Sequence, residues 1–156
     1  MRGVDVSALT VTAVLLVALT GCAVGVDAPE VDAKTRSACA AFTKALPDRV
    51  SDQKSRSVDD ETLGAAWGDP AIVLRCGVGK AKGFTSASTC QETNGVGWFV
   101  PEDQLGDHPV DVLMTTIGRS PRIEVRVPAS YWPPTAAMVD LTRTVKEHTK
   151  KTGGCV

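Results

Sequence analysis

Cys22 stands in the setting with the clearest chemistry. It closes the tetrapeptide Leu19-Thr20-Gly21-Cys22, directly behind an apolar run. That order looks like a bacterial lipobox, in which the thiol takes a diacylglyceryl group and the preceding peptide is cut off. The reading fixes a compartment, removes 21 residues from the fold and changes the cysteine count. It names no reaction. An uncleaved N-terminal anchor and a plain secretory signal cut at another small residue are the alternatives.

Four further thiols remain: Cys39, Cys76, Cys90 and Cys155. An even number in an exported chain points to two disulfides, with three possible connectivities. Zinc would favour closely spaced ligands, and the sequence has no CxxC pair. Thiol–disulfide exchange would favour neighbouring cysteines at an exposed helix start. The long spacings here favour structural bridges.

Arginine and tryptophan are the remaining groups able to bind. Arg75, Arg119, Arg122 and Arg126 fall on or beside candidate strands, and Trp67 and Trp98 each lie next to glycine. Gathered on one surface, they could grip a carboxylate or phosphate, or form a protein hot spot. Alternatively the arginines pair with Glu124, Asp69 and Asp111 on a solvated sheet face, and the indoles are buried. His108 sits in a turn and His148 among lysines, as solvated histidines do. There is no GxSxG, HExxH, P-loop or helix-opening GxGxxG. The glycines at 77, 79 and 83 suit a flexible hairpin loop, and no cofactor or metal is implied.

The segment ahead of Cys22 has the order of an export signal. Arg2 opens it, and residues 6–19 are mostly apolar, a stretch shorter than the roughly 20 residues of a spanning helix. Residues 1–21 therefore read as signal peptide, 22–31 as a membrane-proximal tether and 32–156 as one globular domain. The tether from Ala23 to Val31 would reach roughly 30 Å fully extended. A second acyl chain makes anchoring firm, so the expected location is the outer face of the cytoplasmic membrane. The formal net charge of −1 argues against nucleic acid, whose binding favours a clearly basic surface.

The elements that must position these groups follow from periodicity. Asp32 caps an expected helix from Ala33 to Leu46, ended by Pro47. Residues 48–62 are polar and read as a solvated loop. Four strands are expected at 71–76, 97–100, 111–116 and 122–127. The last alternates strictly, with Ile123, Val125 and Val127 on one side and Arg122, Glu124 and Arg126 on the other. Pro134 opens a final helix expected to run to Lys151. The order α-β-β-β-β-α predicts an α+β fold: a four-stranded antiparallel meander with both helices packed on one face. In that fold Cys39 pairs with Cys155 at the helices, and Cys76 with Cys90 across the first hairpin.

Three blocks carry a resemblance. Residues 66–77 (AWGDPAIVLRCG), 94–98 (NGVGW) and 115–125 (TTIGRSPRIEV), with an early cysteine before Leu46-Pro47 and a closing cysteine, are similar to the signature of small actinobacterial membrane-anchored lipoproteins of unknown function. The resemblance spans nearly all of the mature chain. It implies source and compartment, and it supplies no catalytic or binding residue. The leading functional expectation is a non-enzymatic accessory or binding module of the cell envelope, acting on an envelope protein or cell-wall ligand. An enzyme built around Asp69, Arg75 and Arg119, or a purely structural envelope protein, are the alternatives.

Overall fold

The computed structural model describes residues 23–59 and 63–155. The expected signal peptide and the expected lipidation residue Cys22 lie outside the described residues. Among the described residues ten strands and two α-helices follow in the order α1 (Ala33–Lys44), β1 (Arg49–Val50), β2 (Gln53–Arg56), β3 (Gly64–Trp67), β4 (Ile72–Cys76), β5 (Gln91–Thr93), β6 (Val96–Phe99), β7 (Val112–Ile117), β8 (Arg119–Ser120), β9 (Ile123–Val127), α2 (Thr135–His148) and β10 (Lys150–Lys151). Eight strands make one sheet in the order β1-β2-β3-β4-β9-β7-β6-β5, and β8 pairs with β10 in a second, two-stranded sheet. All named pairs are antiparallel.

This corrects the expected four-stranded meander. The four expected strand regions survive as β4, β6, β7 and β9, yet their pairing is not sequential. β9 lies between β4 and β7, with Leu74 opposite Val125 and Met114 opposite the same valine. The reason is packing. The apolar side of β9 (Ile123, Val125, Val127) is at most 1% exposed, like that of β4 (Ile72, Leu74, Cys76), and the two strands pair side by side in the middle of the sheet. The connection from β4 to β5 is then a long excursion across the sheet rather than a hairpin.

Turn chemistry explains the strands that periodicity did not reveal. Residues 48–62, expected as loop, contain the β1–β2 hairpin. Its two central residues, Ser51 and Asp52, have φ values of 48° and 61°, as a two-residue turn of type I′ requires. Asn94-Gly95 makes the same kind of turn between β5 and β6, with φ values of 50° and 81°. Asn-Gly between alternating residues is a strong short-range hairpin signal.

The helices follow their caps. The Asp32 side chain accepts the Thr35 N–H at 2.7 Å, which opens α1. That same bond holds the Asp32 carboxyl below its ordinary pKa. Met138, Leu141 and Val145 of α2 are buried, as their spacing predicts. α2 ends at His148 rather than Lys151, because Thr149 is already extended and Lys150 and Lys151 pair with β8. The core between helices and sheet holds Phe42, Trp67, Leu74, Trp98, Met114, Val125 and Leu141, all at most 1% exposed.

The disulfides are Cys39–Cys76 and Cys90–Cys155, in place of the expected Cys39–Cys155 and Cys76–Cys90. α1 lies over β3 and β4, so Cys39 meets the end of β4 with a Cα–Cα separation of 5.6 Å. The β10–β8 pairing leads the C-terminal tail past β6, where Cys155 reaches Cys90 beside Gly97.

Part of the expected tether is packed on the domain. The Val24 N–H donates to the Ser57 carbonyl at 2.9 Å, and Val24 pairs with Val58 in a parallel bridge. Val26 is 8% exposed.

Candidate functional site

The expected Arg/Trp surface is not assembled as one patch. Trp67 and Trp98 point into the core, at 1% and 0% exposure. Trp67 Nε1 donates to the Pro47 carbonyl at 3.0 Å, fixing the chain after α1. Arg119 is 8% exposed and donates from Nη2 to the Gly95 carbonyl at 3.1 Å, so it braces the β5–β6 turn. At that burial none of the three belongs to an exposed patch.

Arg75 and Arg126 do project from the sheet face opposite the helices, because alternation along β4 and β9 puts them there. Both are paired with carboxylates. Arg75 sits opposite Glu124 in register and donates to it from Nε at 3.0 Å and also from Nη2. Arg126 donates to Asp111 at 3.1 Å. Asp111 also accepts the Ala129 N–H at 2.9 Å, and that bond, with Arg126, holds its carboxyl below the ordinary range. Asp69 is paired with Arg56 at 3.7 Å at the β3–β4 turn, while Arg75 lies toward the other end of β4. Asp69, Arg75 and Arg119 thus form no common cluster.

Arg122 is different. It immediately precedes β9 and is half-buried. Its side chain touches the Val78 carbonyl at 3.5 Å and has no carboxylate partner among the described residues. It lines two cavities at once. One, of 390 Å³, is polar and is walled by Glu30, Asp32, Thr35, Arg119 and Thr152 besides Arg122. The other is a slot of 80 Å³, walled by Phe84, Phe99, Thr115 and Ile117, with Lys80 beside Arg122. Phe84 packs edge-on against Phe99 with centroids 5.3 Å apart, and Lys80 Nζ stands 5.3 Å from the Phe84 centroid.

The arrangement can hold an anion. A guanidinium offers five N–H donors, and one weak carbonyl contact leaves most of them available. The slot beside it admits only a few heavy atoms, since one water fills about 30 Å³ of liquid. A carboxylate or phosphate carrying a small apolar group matches that pairing. A further cavity, of 880 Å³, runs between the N-terminal segment and α1. Its lining includes Asp59 and Leu63, which flank residues outside the described set. Among the described residues no three His, Cys, Asp or Glu side chains are grouped to hold a metal ion.

Sequence reasoning placed Arg122 among its candidates but missed Lys80, Phe84 and Phe99. The signal available was Phe84 at the end of the Lys- and Gly-containing segment 77–83; what brings the two phenylalanines together is the path of residues 77–90 back over the sheet.

No curated protein and no solved structure matches the chain. A family model described as "Protein of unknown function (DUF3515)" matches residues 4–153. The chain belongs to that family of unknown function.

Proposed function

We propose that this chain is a lipid-anchored protein of the cell envelope and a non-enzymatic binding module for an anionic group at Arg122. Attachment through Cys22 on the extracytoplasmic side rests on the lipobox and the short apolar segment before it. Two disulfides fit an oxidising, exported setting. The actinobacterial source rests on the resemblance of the three sequence blocks. No described helix is long and apolar enough to cross a membrane.

The observation that carries the binding reading is Arg122 itself. Its neighbours Arg75 and Arg126 each have a carboxylate, whereas Arg122 faces two cavities with only a long carbonyl contact. The partner group is a carboxylate or phosphate on an envelope protein or cell-wall component.

The test has two parts. Inorganic phosphate and an N-acetylated alanine, as carboxylate probe, are titrated into the purified full chain while the Arg122 Nε–H resonance is followed by NMR. A saturable shift with either probe, kept in Arg126→Ala, is expected. Crosslinked membranes then report copurifying partners for wild type, Arg122→Ala and Arg126→Ala. Loss of a specific partner in Arg122→Ala alone supports the reading. No saturable shift, together with identical partners in all three, overturns it.

A further inference from the structure

We infer that the lipid-bearing chain stands directly on the bilayer by the β2–β3 side of its sheet, held there by its own N-terminal segment, which acts as a brace rather than a leash. The inference rests on lipidation of Cys22, as proposed above.

A leash of nine residues from Ala23 to Val31 would let the domain turn freely within roughly 30 Å of the membrane. The structure leaves far less slack. Ala23 is the only residue between Cys22 and Val24, so the lipidated Cα lies within about 7.6 Å of the Val24 Cα. Val24 is fastened by its N–H bond to Ser57 and its bridge to Val58. Val26 is buried, and its Cγ1 crowds Gly64 so closely that a Cβ there would lie 2.8 Å from it. Val31 packs against the core, and its Cγ1 stands in the same relation to Gly77. Three attachment points along eight residues, two of them apolar contacts, define a strap with one course over the domain.

The strap begins beside the residues that follow β2. From β2 to β5 the sheet order runs through six strand steps. At about 4.8 Å per step the far edge stands up to about 29 Å away. Arg122 adjoins β9, three steps from β2, or about 14 Å. The strap also ends at the polar cavity of Arg122, which Val31 and Asp32 line. A partner reaching Arg122 must therefore work close to the membrane surface. This selects membrane-bound or membrane-proximal anionic groups over components deep in the cell wall.

The experiment uses the full lipidated chain in phosphatidylcholine–phosphatidylglycerol vesicles carrying an acceptor lipid. Donor dyes are placed, through a non-cysteine chemistry, at Lys54 in β2 or at Glu92 in β5, both exposed. Energy transfer from position 54 should exceed that from position 92 several-fold. Val24→Pro removes the N–H that makes the bond to Ser57, and this variant should bring the two transfers together. The Val24 amide should also exchange slowly in the detergent-extracted native chain. Equal transfer from both sites in a chain shown to carry fatty acid, with fast Val24 exchange, overturns the brace and leaves lipidation standing. A chain that takes up no labelled fatty acid at Cys22 overturns the membrane reading, and this inference with it, even when Val24 exchange is slow.

Discussion

Removing the Cys39–Cys76 bridge should destabilise the fold more than removing Cys90–Cys155, although the second closes the longer loop. The two terms that decide this can be worked separately. In the chain-entropy treatment a cross-link removes about 2.1 + 1.5R ln n cal/mol/K from the unfolded chain. Sequence separations of 37 and 65 then give about 3.8 and about 4.3 kcal/mol at 25 °C. Loop entropy alone therefore favours the second bridge by about half a kcal/mol. Packing acts the other way. Cys39 and Cys76 are both 0% exposed within the core, whereas Cys90 and Cys155 are only half-buried. Deleting two fully buried sulfurs removes roughly two methylene-sized groups at about 0.8 kcal/mol each, before any cavity term. Cys39→Ala/Cys76→Ala should thus lose about 5–6 kcal/mol, and Cys90→Ala/Cys155→Ala about 4. Guanidinium titrations followed by the fluorescence of buried Trp67 and Trp98, with equal m-values required, measure both. A larger loss for the Cys90–Cys155 pair would show that unfolded-state entropy outweighs packing here. Peptide mapping under non-reducing conditions should recover Cys39–Cys76 and Cys90–Cys155 peptides, and a Cys39–Cys155 peptide would overturn the helix-over-sheet placement itself.

Gly118 has φ of 61°, its carbonyl accepts the Thr152 N–H at 2.8 Å, and a Cβ there would collide with the Gly153 backbone. Gly118→Ala should cost at least about 1–2 kcal/mol from the left-handed backbone alone, and the Thr152 amide should exchange faster, with unchanged exchange refuting the tail's placement. Asp111 has a folded pKa lowered first by the Ala129 N–H and then by Arg126. A depressed carboxyl stabilises the fold above its unfolded pKa of about 3.9, and that contribution is lost as pH falls through the lower folded value. Asp111→Asn should therefore lower Tm more at pH 6 than at pH 2, and an equal loss at both would refute the linkage.

Much of the local structure was legible because it depends on near neighbours. Asp32 capping α1, the buried stripe of Met138, Leu141 and Val145, and the alternation of residues 122–127 all follow from side-chain periods of 3.6 and 2. The hairpin at Asn94-Gly95 was equally local in origin, and its dipeptide carried the signal. The turn at Ser51-Asp52 carried a weaker one, since neither residue is glycine.

Strand order and pairing depend instead on which apolar faces meet when the whole chain collapses. β9 enters between β4 and β7 because its buried face completes the core there, and no local pattern encodes that choice. The same placement decides the cysteine pairing, by setting α1 over β4 and leading the tail past β6. It also sorts four arginines that look alike in sequence. Arg119 is buried under a turn, Arg75 and Arg126 find carboxylates on neighbouring chain segments, and Arg122 is left facing two cavities. By itself the sequence determined the number of bridgeable thiols, the two helices and the strand regions that could form a sheet. The tertiary structure alone decided who neighbours whom, because burial free energy depends on surfaces brought together from distant parts of the chain.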